Sequence, residues 1–397
     1  MAYELLSKIY YKENNIYEMI YRKRFESEST YQYDFMIGKY KAFLVIHLEV
    51  LQLVADIFKL DKKLQAISSE LPRSALIQFT KKCIVDEVKL TNEIEGVYST
   101  RKEIREIIDD RADNKKKRLY GLVNKYLMLI ENQEIPLHSC RDIRNLYNEF
   151  ILEEIKADDP KNVPDGEIFR KEIVEIVSPA QKVIHQGLYP EEKIISAMSA
   201  ALQALHDDTM ESMIRVAVFH YMFGYIHPFY DGNGRMTRFI SSYLLAKNLE
   251  PVVAFAISYT IKEKIRKYYD LFKETNDQKN KGDLTPFVIG FLSFIKESVS
   301  NLCSTLEEKQ EKLLFYSKKI EKKAKGNKHL GRVLFVLLQN SLFADEGITV
   351  AELVNILELS SSTVRAQLKQ IPTDMLIVEQ NGKMKLYDVN LDVLAEN

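Results

Sequence analysis

The stretch that decides the fold is HPFYDGNGRMTR, residues 227–238. It brings one histidine, one aspartate, two glycines and two arginines into twelve residues. Before it, MESMIRVAVFHYMFGYI has apolar residues at three- and four-residue spacing, and RMTRFISSYLLAKNL repeats that spacing after it. Since this period is typical of amphipathic or buried helices, we expect two helices joined by a loop over 227–234, with the end of the loop opening the second helix.

The second half of this stretch has the composition of an anion site. Gly232 and Gly234 carry no Cβ, so successive N–H groups can converge on one ligand. The first turn of the following helix adds unpaired N–H donors and the positive end of its dipole. Arg235 and Arg238 are three residues apart and share a helix face. Because guanidinium groups suit phosphate oxygens, the pattern predicts a polyphosphate cradle.

The same stretch supplies a candidate metal ligand and a candidate base. Asp231 is a hard oxygen ligand of the kind that shares Mg²⁺ with substrate phosphates. His227, at the loop entrance, is suited to take a proton from an incoming hydroxyl. Each feature alone has an ordinary explanation, since DGNG is commonly a turn and a lone histidine is commonly a core residue. Their combination at this spacing favours a site.

The string resembles the signature of the Fic family, His-Pro-Phe-x-Asp-Gly-Asn-Gly-Arg-x-x-Arg, and matches every specified position. The resemblance implies a protein adenylyltransferase that transfers AMP from ATP to a Ser, Thr or Tyr hydroxyl of a protein, self-modification included. His227 would be the general base, and Asp231 would hold Mg²⁺ or Mn²⁺. Arg235 would contact the β-phosphate and Arg238 the γ-phosphate. The phosphate-binding positions implied are Asp231, Gly232, Asn233, Gly234, Arg235 and Arg238.

A β-hairpin is predicted upstream of this motif. EIVEIVSPAQKVI, residues 172–184, alternates charged and β-branched residues around a Ser-Pro pair. It resembles the flap of the family, which holds the target segment by β-strand addition. The flap positions are then Ile176, Val177 and Ser178. An ordinary hairpin is the alternative.

KYYDLFKETND, downstream of the motif, resembles the segment that lines the family's adenine and ribose pocket. It places Tyr268 and Tyr269 seven to eight residues before Asn276. A tyrosine ring can stack on a base, although paired tyrosines are also common in protein cores.

TNEIEG, Thr91–Gly96, places Thr91 and Glu95 on one helix face, with Gly96 as a C-terminal stop. Taken alone it is a plain helix end. Beside the motif it resembles the family's inhibitory helix, expected at about 84–96, whose glutamate would pair with Arg238 and exclude the γ-phosphate. The resemblance therefore implies an autoinhibited enzyme. In some relatives the same glutamate supports AMP removal, so a de-adenylylase is an alternative.

The C-terminal stretch ITVAELVNILELSSSTVRAQLKQI predicts a helix-turn-helix, and MLIVEQNGKMKLYDV predicts a hairpin turning at Asn381-Gly382. Together they resemble a winged helix. From Lys328 on there are six Lys/Arg and nine Asp/Glu, a net charge of −3, which disfavours DNA binding. A nucleotide-sensing transcriptional regulator therefore remains the second hypothesis, and the intact His227 favours the enzyme.

Composition sets the class of protein. The chain has 397 residues and a net charge of −1, so no global field attracts nucleic acid or a membrane. Three separated cysteines favour a reducing compartment, and the N-terminus shows no apolar signal region, so we expect a cytoplasmic protein without membrane contact. The expected fold is mainly α, a Fic-type helical core with a β-hairpin flap and a C-terminal winged helix-turn-helix domain. The expected domains are an N-terminal helical region 1–130, a catalytic core 131–300, a charged linker helix 301–327 and a winged-helix-like domain 328–397.

Overall fold

A computed structural model describes residues 3–111, 113–177, 183–324, 326–381 and 384–396. It is mainly helical, as expected from the sequence. The helices are α1 (Leu6–Lys12), α2 (Asn14–Phe25), α3 (Leu48–Glu70), α4 (Arg73–Ile94), α5 (Arg101–Asp109), α6 (Tyr120–Ile130), α7 (Cys140–Phe150), α8 (Leu152–Asp158), α9 (Glu191–Leu205), α10 (Ser212–Ile226), α11 (Asn233–Asn248), α12 (Ile257–Glu263), α13 (Ile265–Asn276), α14 (Thr285–Ala324), α15 (Lys328–Phe343), α16 (Val350–Leu357), α17 (Ser361–Leu368) and α18 (Leu391–Glu396). The strands are β1 (Thr30–Ile37), β2 (Tyr40–Val45), β3 (Glu175–Val177), β4 (Val183–Gln186), β5 (Ile348–Thr349), β6 (Leu376–Asn381) and β7 (Met384–Val389). Short 3₁₀ turns occupy Pro160–Asn162, Pro251–Phe255 and Gln278–Asn280.

The chain divides into two compact units, one of Met1–Asp61 with Ile84–Ser300 and one of Lys62–Cys83 with Asn301–Asn397. The fourfold domain division expected from the sequence stays a prediction. Residues 301–324 of the expected linker helix are the second part of the 40-residue helix α14. None of the described helices is both long and apolar enough to cross a membrane.

The first unit is built around α10. Its apolar residues point in all directions and nearly all are buried, which is the pattern of a helix at the centre of a core. Helices α9 and α11 pack on it. The loop between α10 and α11 is therefore largely surrounded by protein, and its polar side chains lie close together where they are partly desolvated.

Residues 42–60, AFLVIHLEVLQLVADIFKL, have apolar residues at helical spacing, which predicts a helix, but the helix begins only part-way through this stretch. Residues 40–45 form β2, which pairs antiparallel with β1, and α3 starts only at Leu48. Phe43 also donates its N–H to the Gly282 carbonyl at 3.0 Å. The apolar pattern of the first residues of this run fits a helix as well as a strand. Pairing with β1 and with the chain near residue 282 favours the strand. Gly38, with a φ of +58°, opens the connecting turn.

The second unit contains the predicted helix-turn-helix. Ser360 caps α17 by accepting the Thr363 N–H at 3.1 Å. Strands β6 and β7 pair antiparallel, and β5 adds to the other edge of β7, giving the order β5-β7-β6. Gly382 of the expected turn lies outside the described residues. The winged-helix assignment and any DNA contact remain predictions.

Candidate functional site

The loop 227–232 lies between α10 and α11, as the sequence predicted. His227 ends α10 in the left-handed conformation, with φ 52° and ψ 62°, and Gly232, with φ 81°, precedes the first turn of α11. Asn233 closes the loop on itself: its amide oxygen accepts the Phe229 N–H at 2.9 Å and its amide nitrogen donates to the Phe229 carbonyl at 2.8 Å. Both polar atoms of Asn233 thus bond the loop, and its predicted phosphate contact stays a prediction.

Phe229 packs the loop against helix α7. Its fully buried ring stacks on Tyr147 of α7, with centroids 3.8 Å apart and planes 16° from parallel. Tyr147 also donates its hydroxyl to the Asp231 carbonyl at 3.3 Å. Helix α7 therefore fixes the position of the loop between His227 and the first turn of α11.

Arg238 is held by the C-terminal end of α4. Its Nη1 lies 2.8 Å from Glu95 Oε1, and the arginine side chain is only 1% exposed. Its Nε donates to Thr91 Oγ1 at 2.8 Å, and its Nη2 donates to the Thr91 carbonyl at 2.9 Å. Burial of this guanidinium lowers its pKa, but the charge and hydrogen bond of Glu95, together with nearby Tyr268 and Tyr126, leave the pKa of Arg238 raised. The structure thus joins the two residues that the sequence analysis had paired.

The Glu95 carboxylate also lies directly above Gly234. A Cβ built on Gly234 would be 2.1 Å from Glu95 Oε1, so only glycine leaves room for the carboxylate at this point. Gly234 belongs to the first turn of α11, where backbone N–H groups and the helix dipole favour an anion. Glu95 therefore occupies the part of the cradle where a phosphate would be attracted.

Helix α4 is longer than the expected segment 84–96, since it begins at Arg73 and ends at Ile94. Gly96 ends it as predicted, with φ +74° and its N–H donated to the Glu93 carbonyl at 3.2 Å. Sequence reasoning missed Glu87, which lies on the same face as Thr91 and Glu95 at four-residue spacing. Glu87 is fully buried and accepts hydrogen bonds from the Ser258 N–H and the Tyr126 hydroxyl, so it ties α4 to α6 and α12.

Arg235 faces a different carboxylate. Its Nη1 lies 2.8 Å from Glu154 Oε1 of α8, and the two side chains are 1% and 5% exposed. Nη1 also lies 3.5 Å from Asn92 Oδ1, while Nη2 is 3.9 Å from Asp231 Oδ1. This guanidinium is thus a buried bridge between α8, α4 and the loop, and its predicted β-phosphate contact stays a prediction. No local pattern around Glu154 indicated its role.

Asp231 is the accessible carboxylate of the motif. Its side chain is 37% exposed, and one oxygen accepts the Gly232 N–H at 2.5 Å. Among the described residues no group of three or more His, Cys, Asp or Glu side chains could hold a metal ion. A single exposed carboxylate beside a phosphate cradle nevertheless fits Mg²⁺, which commonly binds through one or two carboxylates plus substrate phosphates and water.

His227 is kept in its neutral form. Burial lowers its pKa to about 3, and the positive charges that His185 and Arg170 carry when protonated act in the same direction. The Gly224 carbonyl of α10 acts in the opposite direction but does not offset them. A neutral imidazole keeps one ring nitrogen as an acceptor, which is what a base requires.

The predicted hairpin is present beside His227. Strands β3 and β4 pair antiparallel, with Ile176 opposite His185 and Val177 opposite Val183. Ser178, the third predicted flap residue, lies outside the described residues. We call the β3–β4 hairpin the flap from here on.

The two tyrosines of the predicted adenine segment have different environments. Tyr268 is buried at 5% exposure and its hydroxyl lies 2.8 Å from His220 Nε2, so it belongs to the core. Tyr269 is 48% exposed and is the ring with a free face. Asn276, at the end of α13, accepts the Tyr221 hydroxyl at 2.7 Å. Any base stacking at this segment therefore falls to Tyr269.

Residues 138–245 match the family model described as the Fic/DOC family. The chain is a Fic family protein. It resembles a protein adenylyltransferase Fic from Drosophila ananassae, with 28% identity over 240 residues that cover 58% of this chain and 44% of the relative. A Drosophila yakuba protein of the same name is 36% identical over 87 residues, 22% of this chain and 16% of the relative. This Fic protein thus spans less than half the length of the curated relatives it matches.

The fold has a solved counterpart. A Fic family protein from Desulfovibrio desulfuricans superposes with a TM-score of 0.54 at 19% identity, covering 87% of this chain and 97% of that one. The Fic match runs from the residue before the α7 cap into α11, so it contains the flap and the whole motif. Thr91 and Glu95 lie outside it, and their link to Arg238 is a property of the tertiary structure.

Proposed function

We propose that this Fic protein is an autoinhibited protein adenylyltransferase, which transfers AMP from Mg-ATP to a Ser, Thr or Tyr hydroxyl of a protein, itself included. The observation that carries the proposal is the position of the Glu95 carboxylate, 2.8 Å from Arg238 Nη1 and directly above Gly234. A carboxylate held over a helix N-terminus and against a buried arginine marks the place where an anionic ligand of similar charge would bind.

In the proposed reaction the target hydroxyl attacks the α-phosphorus of ATP. The new bond joins the hydroxyl oxygen to phosphorus, the bond to the β-phosphate oxygen breaks, and pyrophosphate leaves with that electron pair. His227 accepts the hydroxyl proton, because its imidazole is neutral and one ring nitrogen is therefore an acceptor. Transfer of this kind depends mainly on positioning and charge neutralisation.

The remaining groups bind and orient the nucleotide. The first turn of α11 and Arg238 receive the phosphates, while Asp231 would hold Mg²⁺, which supplies charge neutralisation on them. Arg235, bonded to Glu154 on one side, faces Asp231 with its Nη2 at 3.9 Å and so orients that carboxylate. A target segment would pair with a strand of the flap, whose main-chain groups supply sequence-tolerant hydrogen bonds.

The brake follows from competition for one guanidinium. With Glu95 in place, its carboxylate takes Nη1 of Arg238 and lies above Gly234, the position that a γ-phosphate would need. Loss of the Glu95 carboxylate frees Nη1, while Thr91 continues to hold Nε and Nη2 in the same orientation. The released arginine is then preorganised for the nucleotide.

Mass spectrometry of the purified protein after incubation with Mg-ATP tests the proposal. We expect a slow addition of AMP to wild type, a faster one to Glu95→Gly, and none to the Glu95→Gly, His227→Ala double variant. No AMP on Glu95→Gly or on any added protein would contradict a transferase. Wild type that strips AMP from pre-labelled Glu95→Gly protein would assign the de-adenylylase instead, and a specific gel shift with DNA would favour the regulator.

A further inference from the structure

Arg170 is a buried cation whose hydrogen bonds within the described residues all go to backbone carbonyls. Its side chain is fully buried, and within the described part of the chain no carboxylate forms an ion pair with it. Its Nε donates to the His227 carbonyl at 3.0 Å, its Nη2 to the Leu188 carbonyl at 2.8 Å and its Nη1 to the Glu172 carbonyl at 2.5 Å. Burying a charge without a counter-charge is unfavourable, so such a group calls for a role beyond stability.

The three carbonyls belong to three functional segments. Glu172 precedes β3, Leu188 follows β4, and His227 is the proposed base. Leu188 also donates its own N–H to the Ile226 carbonyl at 3.1 Å. We call the segments that flank the hairpin, residues 172–174 and 187–188, the arms of the flap. Arg170 therefore joins both arms to His227, whose backbone adopts the left-handed conformation.

A second tie runs beside it. The Tyr230 hydroxyl accepts the Glu172 N–H at 3.0 Å and donates to Asp165 Oδ1 at 2.8 Å. The close approach on the other arm requires Gly187, because a Cβ there would lie 2.5 Å from Arg170 Nη2 and 3.1 Å from His227 Cβ. Both arms are thus built to lie against the motif loop.

We propose that Arg170 is a positioning residue that locks the two arms of the flap to His227, so that a hydroxyl on a flap-bound segment meets the base in a fixed geometry. The inference rests on the proposed role of His227. Misplacing a reacting group by about 1 Å can cost roughly 10²-fold in rate. A guanidinium that fixes the backbone of the flap arms and of His227 therefore affects turnover directly.

The positive charge of Arg170 adds an electrostatic effect. The groups that face His227 are Arg170, His185 of β4, which bonds the Tyr225 carbonyl at 2.7 Å, and the Gly224 carbonyl of α10. Burial, His185 and Arg170 lower the pKa of His227, and the Gly224 carbonyl opposes them. Removing the Arg170 charge is therefore expected to raise the pKa of His227.

Arg170→Gln and Arg170→Lys test the proposal, with Arg144→Gln as the matched control. Arg144 also donates to backbone carbonyls near the flap, Ile168 at 2.7 Å and Pro164 at 3.5 Å, but it reaches neither His227 nor the flap arms. AMP incorporation is measured in the Glu95→Gly background. The His227 ring is titrated by NMR without nucleotide, its signal assigned by comparison with His227→Ala.

We expect both Arg170 variants to lose roughly 10²-fold in AMP incorporation, and Arg144→Gln to stay within about threefold of its parent. The His227 signal of Arg170→Gln should begin to titrate at higher pH than in Arg144→Gln, whereas Arg170→Lys, which keeps the charge, should not show this shift. Gly187→Ala, which attacks the same contact from the flap side, should lose activity in parallel if the Arg170 variants do not fold.

Equal losses in Arg170→Gln and Arg144→Gln, or a His227 titration unchanged by Arg170→Gln, would overturn the proposal. So would full activity of Gly187→Ala together with unfolded Arg170 variants. If Glu95→Gly itself transfers no AMP, the proposed function fails, and the NMR titration still decides whether Arg170 controls the state of His227.

Discussion

Arg238 gives all three of its guanidinium nitrogens to α4: Nη1 contacts Glu95 at 2.8 Å, Nε bonds the Thr91 hydroxyl at 2.8 Å and Nη2 bonds the Thr91 carbonyl at 2.9 Å. The pair is unequal in exposure, since Arg238 is 1% exposed and Glu95 29%. A carboxylate that reaches a buried cation from a partly exposed position can leave without unpacking the core, and the cation stays in place.

Removal of the Glu95 carboxylate should activate transfer. Couplings between sites commonly run about 1–3 kcal/mol, so Glu95→Gly should raise AMP incorporation roughly 5–150-fold over wild type. Glu93→Ala, on the same helix but paired with Lys89 at 3.2 Å, is the control and should behave as wild type. Radiolabelled ATP gives the rates. Equal rates for wild type and Glu95→Gly would mean that the Glu95 contact is only a structural ion pair. Arg238→Ala should strongly lower the rate of AMP incorporation by the activated Glu95→Gly variant.

His227→Ala should abolish AMP transfer in the Glu95→Gly background while leaving ATP affinity largely unchanged, because the phosphates are held by α11 and Arg238. A general base contributes about 10²–10⁴-fold, so retention of more than about a tenth of the rate would exclude that role. Nucleotide binding is followed by isothermal titration calorimetry on the same preparations.

The metal requirement should depend on Asp231. Chelation by EDTA should stop turnover, and Mg²⁺ or Mn²⁺ should restore it in Glu95→Gly but not in the Glu95→Gly, Asp231→Ala double variant. Asp159→Ala, which removes a partly exposed carboxylate that caps a 3₁₀ turn outside the motif, is the control. Full turnover in chelator would count against any Mg-nucleotide mechanism.

Glu154 should matter for stability as much as for the site. Removing one partner of a buried ion pair leaves an uncompensated charge and typically costs about 3–5 kcal/mol, so Glu154→Ala should lower the free energy of unfolding by that order. The adjacent Glu153 is 82% exposed and pairs with Lys156, so Glu153→Ala should cost less than about 1 kcal/mol. Urea unfolding followed by circular dichroism compares the two, and similar losses would show that Arg235 does not depend on Glu154.

Acidification should weaken the core through His220. This buried ring lies 2.8 Å from both Ser241 Oγ and the Tyr268 hydroxyl, and burial, aided by Arg238, holds its pKa well below the usual value. Since the unfolded chain binds a proton near pH 6.5 and the folded state does not, stability falls as pH drops below that value, by up to about 1.4 kcal/mol per unit.

The comparison is between thermal midpoints at pH 7.5 and 5.5. The loss between the two should be smaller in His220→Gln than in wild type, while the exposed His138→Gln should show the wild-type loss. An unchanged pH dependence in His220→Gln would mean that other groups set the acid sensitivity.

Much of the site could be predicted because its determinants are local. Gly232 adopts a positive φ that other residues rarely take, and α11 starts at the next residue, so the loop and the cradle follow from a few neighbouring residues. Gly96 ends α4 for the same kind of reason. The pairing of Glu95 with Arg238 needed the family resemblance, since nothing in either segment alone points to the other.

The sequence by itself determined the two helices on either side of the motif, where the motif loop begins and ends, and which residues are candidates for binding phosphate, because steric and capping rules act over a few residues. Only the tertiary structure decided which partners these and other residues have. It gave Arg235 to Glu154, put Tyr268 in the core, made a strand of residues 40–45 and buried Arg170 against three carbonyls. Each outcome depends on a partner distant in the chain, and burial made that partner necessary.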